Sequence, residues 1–331
     1  MNHERKIIQT TLNGKIVETI SNKSLTSIAK PFLKWAGGKG QILHEIENRL
    51  PNIIKQNKVI DSYIEPFVGG GAVFFHLMNN YKIKESTLID NNKELLVGYQ
   101  VIKQNPNELI KKLTSLEKDY HKKTEDERKE FFYQQRDAYN RQMKIFDYDN
   151  YSESWIDRTV YLIFLNRTCF NGLFRQNKSG EFNVPFGRYK NPRICDAENI
   201  LQVHNSLQNT NIICGDFTDS MEFVREGSLV YFDPPYRPIS STAYFTDYSM
   251  DGFNDDEQKR LANYFRVLDK KGAFLILSNS DPKNEDPTDN FFDDLYKGFN
   301  IERIKAKRAI SCVGSGRGEI NELLIRNYPR K

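Results

Sequence analysis

Asp233-Pro234-Pro235-Tyr236 is the segment of this chain whose residue types are best suited to chemistry. It ends an apolar run, residues 229–232, that predicts a buried strand, and open α/β sheets bind ligands just outside the carboxyl ends of their strands. Asp233 and the Pro234 carbonyl could each accept one hydrogen of an exocyclic amino group on a flat nitrogen heterocycle, with Tyr236 stacked on its ring. The two prolines stiffen the backbone that carries these acceptors. The competing interpretation is an Asp-Pro-Pro turn that only ends the strand.

A glycine-rich segment, residues 65–71, joins the first predicted strand of the sheet to the first predicted helix. Its three glycines allow a sharp turn and the close approach of a bulky ligand. The dinucleotide-binding pattern needs a further glycine where Phe74 stands. Neither this segment nor residues 35–40 contains the Gly-Lys-Ser/Thr of a phosphate-binding loop. A ligand without phosphates therefore fits better than NAD or ATP.

Two acidic residues follow the next predicted strands. Asp90 ends the second strand, where an acid would accept the ribose hydroxyls of a nucleoside. Asp216 and Phe217 follow the third strand and could hold an adenine through a carboxylate and a ring. For each acid the alternative is a helix N-cap. Together these residues describe a nucleoside with an uncharged or cationic group in place of phosphate, a description that S-adenosylmethionine meets.

Predicted strands and helices alternate along the chain, which predicts an α/β fold with a parallel sheet that positions these residues. The predicted strands are residues 62–66, 86–90, 211–214, 229–233, 273–278, 300–304 and 322–327, and the predicted early helices are residues 72–80 and 91 to about 103. From about residue 105 to 168 long amphipathic helices replace the strands, and residues 170–189 predict a hairpin with its turn near 177–180. The sheet is therefore expected to be interrupted by a helical insertion.

Residues 1–30 form a separate N-terminal extension in this interpretation. Residues 7–12 and 15–20 flank Asn13-Gly14, the strongest two-residue signal for a β-hairpin. We predict a short edge hairpin there, and a disordered tail is the alternative.

Basic residues concentrate in the predicted insertion. The chain of 331 residues has a net charge of +4 and an ordinary soluble composition, with 38% hydrophobic and 28% charged residues. Residues 158–193 alone contain seven basic residues and one acid, a net charge of +6. This pattern is typical of a surface that binds nucleic acid, and a solvated basic surface is the alternative.

Other residue types limit the class of protein. The cysteines Cys169, Cys195, Cys214 and Cys312 form no Cys-x-x-Cys pair, so neither a disulfide framework nor a zinc site is expected. The five histidines also lack ligand spacing, and we predict no metal. With no signal peptide and no apolar run long enough to cross a membrane, we expect a cytoplasmic protein.

Several long segments resemble the DNA adenine N6-methyltransferases of the Dam and DpnII type, the D12 class. The similar segments are residues 32–39, 65–71, 171–175, 181–190, 233–236 and 309–311. They are collinear and span roughly residues 30 to 330. The resemblance implies a seven-stranded, Rossmann-like S-adenosylmethionine-dependent methyltransferase sheet with a final antiparallel strand. It also implies a catalytic domain of residues 31–104 and 196–331 and a target-recognition domain of residues 105–195.

The resemblance also implies roles for individual residues. Positions that hold S-adenosylmethionine in this family are Trp35, Lys39, Phe67, Gly69, Asp90 and Asp216, to which our own interpretation adds Phe217 and Asp233. Lys34 matches a residue that reads a guanine. The residues implied to read or wedge base pairs are Asn171, Leu173 and Arg175, and those implied to contact phosphates are Asn183, Arg188, Tyr189 and Lys190. Phe170 departs from the enteric tyrosine but can still stack in the gap left by a flipped base.

The predicted function is transfer of a methyl group from S-adenosylmethionine to N6 of a flipped adenine in double-stranded DNA, within GATC. Asp233, Pro234, Pro235 and Tyr236 are the predicted catalytic residues. The alternatives are methylation of N4 of cytosine, of RNA or of protein glutamine, and a DNA-binding protein without activity. We expect a monomer, because one active site and one recognition module act on one strand at a time.

Overall fold

The computed structural model describes residues 8–12, 15–19, 28–35, 37–237, 253–307 and 319–329. Asn13-Gly14, Ala36, the similar segment 309–311 and Cys312 lie outside these ranges. The strands are β1 Ile8–Leu12, β2 Lys15–Thr19, β3 Val59–Glu65, β4 Lys82–Asp90, β5 Thr210–Cys214, β6 Leu229–Phe232, β7 Phe274–Ser280, β8 Asn300–Lys307 and β9 Glu319–Arg326. The α-helices are α1 Leu43–Asn48, α2 Asn52–Asn57, α3 Ala72–Asn80, α4 Lys93–Gln104, α5 Pro106–His121, α6 Glu125–Met143, α7 Glu153–Thr168, α8 Ala197–Ser206, α9 Asp255–Lys270 and α10 Phe291–Leu295.

The central element is a seven-stranded sheet with the order β5-β4-β3-β6-β7-β9-β8. Adjacent strands from β5 to β7 pair in parallel, whereas β9 runs antiparallel to both β7 and β8. All four residues of β6 are buried, as expected for a strand with both faces covered. The order reverses between β3 and β6, and ligands of such sheets bind in the crevice at this point. This architecture confirms the predicted α/β class and the late antiparallel strand.

The strands extend beyond the apolar runs that predicted them. β3 begins at Val59 and β4 at Lys82, and these two residues pair with each other. The added residues include exposed polar ones, Asp61 in β3 and Lys82, Lys84 and Glu85 in β4, whereas the predicted parts of both strands are mostly buried. The helix at 72–80 has the predicted bounds.

Three long helices, α5 to α7, follow α4 in place of strands. Pro106 occupies the first turn of α5, and Thr124 with Glu127 forms a capping box that starts α6. The helices share one hydrophobic core with the sheet and α4, through side chains such as Leu113 and Phe132. No helix among the described residues combines the length and apolar character that a membrane span needs.

Two of the seven basic residues in the basic window, residues 158–193, have structural partners inside the protein. Arg158 is fully buried, and its Nε donates to Glu94 Oε2 at 2.7 Å. Arg167 is partly buried and donates to the Phe32 carbonyl at 2.9 Å. A guanidinium buried in this way needs its partners, because an unpaired buried charge is costly.

The two predicted hairpins have different outcomes. β1 pairs antiparallel with β2, with Leu12 opposite Lys15, so a hairpin forms there as a sheet of its own. Residues 170–189 fold back on themselves with a turn at 177–181, but the two limbs are joined by isolated bridges and single hydrogen bonds rather than by a pair of regular strands. Pro185 has no N–H to donate, which limits regular strand pairing in this segment.

Candidate active site

The predicted catalytic tetrapeptide lies at the carboxyl end of β6, beside the point where the strand order reverses. Asp233 Oδ1 accepts a hydrogen bond from Ser278 Oγ at 3.0 Å and forms an ion pair with Lys39 Nζ at 2.8 Å. Burial raises the pKa of Asp233, while Lys39 and Ser278 oppose that rise because they stabilise the carboxylate. Asp233 is thus a partly buried acceptor whose Oδ1 is fixed by two donors.

Lys39 contacts two residues of the tetrapeptide, Asp233 and Tyr236, whereas the family resemblance implied only a contact with the cofactor. Its side chain is 7% exposed, and Nζ lies 4.4 Å from the centroid of the Tyr236 ring. The ammonium also donates to the Gly37 carbonyl at 2.6 Å. It therefore links the segment before α1 to both predicted catalytic side chains, Asp233 and Tyr236.

Sequence reasoning missed Glu322, which lies on β9. The hydroxyl of Tyr236 donates to Glu322 Oε2 at 3.0 Å. Burial raises the pKa of Glu322, and Lys39 and the Tyr236 hydroxyl oppose this rise. The available signal was a glutamate directly before the apolar run Leu323-Leu324-Ile325, at the first position of the predicted strand 322–327. Glu322 fixes the orientation of the tyrosine ring.

A third carboxyl group, Glu65 at the end of β3, lies near the same cluster. It is 2% exposed, and the Tyr63 hydroxyl donates to its Oε2 at 2.7 Å. Burial raises the pKa of Glu65 well above its ordinary value, and the nearby Asp233 adds to the rise. The charge of Lys39 opposes the rise in the pKa of all three carboxyl groups, and a further cation bound among them would act in the same direction.

Asp90 fixes the shape of the glycine loop. Its Oδ2 accepts from the Gly69 N–H at 2.9 Å and its Oδ1 from the Asn92 N–H at 2.9 Å. Gly71 has φ +71°, and a Cβ there would lie 2.5 Å from the Tyr99 hydroxyl, so only glycine fits. Asn92, not Asp90, caps α4, so the N-cap alternative for Asp90 was wrong.

Aromatic side chains lie at the glycine loop. Trp35 packs on Gly69, since a Cβ at Gly69 would lie 3.0 Å from Trp35 Cδ1, and its ring stacks on Phe174 at 4.9 Å. Phe67 belongs to the loop segment itself, and its ring lies 5.5 Å from that of Phe217. These aromatic residues surround the backbone where we predicted a nucleoside.

Asp216 has structural partners of its own. It caps the short helix Phe217–Glu222 through the Thr218 N–H at 3.0 Å, as the alternative for this residue predicted. Arg260 donates to both carboxylate oxygens at 2.8 and 2.7 Å and holds the pKa of Asp216 far below its ordinary value. An adenine at this carboxylate would share it with Arg260, and that role stays a prediction.

The residues implied to read bases lie on the loop after α7. Lys34 Nζ donates to the Asn171 carbonyl at 2.6 Å, and Asn171 has φ +58°. Phe170 is 54% exposed, whereas Leu173 is half-buried against the core. Lys34, Phe170 and Asn171 therefore share one exposed site, next to the segment that leads to Trp35.

The implied phosphate contacts lie on the return limb, residues 181–190. Arg175 Nε donates to Asn183 Oδ1 at 2.8 Å across the two limbs. Arg188, Tyr189 and Lys190 are exposed, and Arg188 approaches only Glu125, at 3.9 Å, among the described ion pairs. This limb presents cationic and aromatic side chains to solvent.

Thiols and possible metal ligands contribute no further site among the residues described. Cys169 and Cys195 are buried free thiols, and Cys214 is an exposed one. Burial raises the pKa of Cys169 to about 12. Within the described ranges no cluster of three or more His, Cys, Asp or Glu side chains is arranged to hold a metal ion.

The mixed seven-stranded sheet is consistent with the fold of S-adenosylmethionine-dependent methyltransferases, and Asp233–Tyr236 follow its strand β6. A family model described as D12 class N6 adenine-specific DNA methyltransferase matches residues 35–310, and the chain belongs to this family. The predicted family, fold class and enzyme class are thereby confirmed.

Named relatives agree over nearly the whole chain. The chain is 50% identical over 300 residues to the Type II methyltransferase M.MjaIII of Methanocaldococcus jannaschii, covering 90% of this chain and 99% of that one. It is 38% identical to the Type II methyltransferase M1.LlaDCHI of Lactococcus lactis subsp. cremoris, covering 90% and 95%. It is 33% identical to the DNA adenine methylase of Escherichia coli (strain K12), covering 91% and 96%.

Proposed function

We propose that this adenine-specific DNA methyltransferase transfers the methyl group of S-adenosylmethionine to N6 of an adenine rotated out of double-stranded DNA within GATC. The observation that carries the proposal is the partly buried Asp233, whose Oδ1 is fixed by Lys39 and Ser278 next to the Tyr236 ring. Such an arrangement holds an acceptor and a stacking surface ready for an aminated base.

Asp233 and the Pro234 carbonyl act on the amino group. The lone pair of an adenine amino nitrogen is delocalised into the ring, so the nitrogen is a poor nucleophile. Among the described contacts of Asp233, both go to Oδ1, and we therefore assign Oδ2 to one amino hydrogen. The Pro234 carbonyl accepts the other, which favours a pyramidal nitrogen with a localised lone pair. Holding two reactants in this geometry lowers the barrier by several kcal/mol.

The residues around the glycine loop fit S-adenosylmethionine. This cofactor, when bound, supplies a methyl group on a sulfonium, which is reactive without a metal. We assign its binding to Trp35, Lys39, Phe67, Gly69, Asp90, Asp216, Phe217 and Asp233. We assign Asp90, whose carboxylate accepts from the backbone N–H groups of Gly69 and Asn92 at the end of β4, to the ribose hydroxyls. The carboxyl groups of Glu65, Asp233 and Glu322 favour a cation in the crevice between them.

The insertion supplies the contacts to DNA in this proposal. Within the recognition domain of residues 105–195, Asn171, Leu173 and Arg175 read or wedge base pairs, and Phe170 fills the gap left by the adenine. From the catalytic domain of residues 31–104 and 196–331, Lys34 reads a guanine. The proposed phosphate contacts are Asn183, Arg188, Tyr189 and Lys190. Cationic side chains suit the acceptors of guanine and the phosphates.

We further propose that the enzyme acts as a monomer in the cytoplasm, where its DNA substrate lies. Tyr236 stacks on the extruded adenine and recovers part of the few kcal/mol that base flipping costs. Its hydroxyl contact with Glu322 keeps the ring in place.

Labelled methyl transfer by the purified protein tests the proposal. DNA, RNA and protein acceptors are offered separately with labelled S-adenosylmethionine, and the product nucleosides of DNA are then separated. We expect label in DNA and only as N6-methyladenine. Label in N4-methylcytosine, RNA or glutamine would contradict the proposal.

A further inference from the structure

A buried asparagine at the end of α7 joins two segments that are far apart in sequence. Asn166 is 1% exposed. Its Oδ1 accepts from the Lys34 N–H at 2.9 Å, and its Nδ2 donates to the Lys34 carbonyl at 2.9 Å and to the Gly172 carbonyl at 3.0 Å. One N–H donor and two carbonyl acceptors surround the amide, so its orientation is fixed by its partners.

The two segments that Asn166 joins carry residues of the proposed DNA contact. Lys34 reaches back with Nζ to the Asn171 carbonyl at 2.6 Å, which closes a ring of contacts around Asn166. Gly172 lies so close that a Cβ there, at φ +63°, would be 3.1 Å from Lys34 Cδ. The position of Lys34 relative to Asn171 therefore depends on this amide.

The same contacts extend toward the glycine loop. Trp35 follows Lys34 directly, packs on Gly69 and stacks on Phe174 of the 170–175 loop. A shift of the Lys34 backbone would thus move the tryptophan that lies against the glycine loop. The residue proposed to read a guanine, Lys34, and a residue proposed to hold the methyl donor, Trp35, are therefore positioned by the same set of contacts.

We propose that Asn166 is a specificity-determining positioning residue, which touches no DNA and fixes Lys34 and the 170–175 loop relative to each other. This assignment rests on the proposed function, because it needs Lys34 and Asn171 to read DNA. Loss of the amide donors should reduce discrimination between the target sequence and sequences that differ from it by one base pair. Exposed residues proposed to contact phosphates, such as Lys190, should be unaffected.

Two variants disturb the connection from opposite sides. Asn166→Asp keeps the oxygen that faces the Lys34 N–H but loses both donors to the carbonyls. Gly172→Ala keeps the amide and pushes a methyl group against Lys34 Cδ. Thr159→Val is the matched control, because it removes a buried hydrogen bond to Trp155 O, 2.8 Å long, from the same helix.

The experiment compares kcat/KM for a duplex with the target sequence and for duplexes that differ from it by one base pair. We expect both test variants to lower discrimination at the base pair that Lys34 reads by about tenfold. kcat on the target should fall while KM for DNA changes little, and Thr159→Val should keep the wild-type discrimination. In the double variant Lys34→Met with Asn166→Asp, discrimination at that base pair should be no lower than in Lys34→Met alone.

The outcomes separate this assignment from the proposed function. Absence of DNA methylation by the wild-type enzyme would overturn the proposed function and the assignment with it. If the wild-type enzyme methylates DNA but both variants lose rate equally on every sequence, Asn166 is merely structural and the assignment alone is wrong. Additive losses in the double variant would also overturn it.

Discussion

Replacing Asp233 by asparagine gives the sharpest change at the proposed reacting centre. Lys39 has only donors to offer, so the amide oxygen of the introduced asparagine must face its Nζ at the position of Oδ1. The amide NH₂ then takes the position of Oδ2, which we assign to an amino hydrogen of adenine, and so a donor faces a donor. One substitution therefore turns the proposed acceptor into a donor without changing the shape of the side chain.

The size of the effect follows from the lost contact. A hydrogen bond to a charged group contributes about 1.5–3 kcal/mol. Removing one preorganised electrostatic contact at a reacting atom lowers kcat by about 10²–10³-fold, or about 2.7–4 kcal/mol. We expect a loss in this range or larger for Asp233→Asn, because the variant also introduces the repulsive donor. Ser278→Ala removes one of the two contacts that orient Asp233, and it should cost only about 1 kcal/mol, or roughly fivefold.

Single-turnover methyl transfer measures the chemical step, and fluorescence anisotropy measures DNA affinity for the same variants. Asp233→Asn should bind DNA nearly as the wild-type enzyme does, since Arg188 and Lys190 are unchanged. Near-normal single-turnover rates in Asp233→Asn, or a larger loss in Ser278→Ala, would refute the proposed role of the carboxylate.

Three further predictions use other parts of the molecule. Burial raises the pKa of Asp233 above its ordinary value, and Lys39 opposes this rise. Activity is lost as the pH falls through that pKa, because the acceptor becomes protonated. Lys39→Met should therefore raise the pKa further and shift the acid limb of the pH–rate profile to higher pH. An unshifted pH–rate profile would contradict this. Arg175→Ala should relax sequence choice at one base pair by about 1–3 kcal/mol, whereas equal loss on all tested duplexes would mark a phosphate contact. Lys190→Ala should weaken binding to all sequences and reduce the salt slope of log K by about 1, and an unchanged slope in a salt titration would exclude a phosphate contact.

The parts of the site that follow strands directly could be predicted from the sequence. Asp233 comes immediately after an apolar run, and Asp90 ends another, so their places at the carboxyl edge follow from the parallel sheet. The clustering of Lys39 with Asp233 could not be predicted, because it depends on the path of the chain before α1. A lysine in a Gly-rich segment carries no signal of the carboxylate that it will meet.

Other features depend on tertiary pairing that local pattern does not encode. Glu322 reaches Tyr236 only because β9 inserts antiparallel beside β7, with Glu322 opposite Ser280. Arg158 contributes to the charge of the basic window, yet it is buried and bound to Glu94. A count of charges cannot distinguish such a buried arginine from an exposed one. The sequence therefore predicted which strand ends carry the site residues, but it did not predict which side chains those residues contact.

Long-read modification mapping of plasmid DNA is the most direct test of the central claim. The chain and its Asp233→Asn variant are expressed separately in a host without DNA methylation. We predict N6-methyladenine at every GATC with the wild-type chain and at almost none with the variant. N6-methyladenine in another motif would contradict the proposed specificity, and the absence of N6-methyladenine from DNA of cells that contain folded wild-type protein would contradict the proposed reaction.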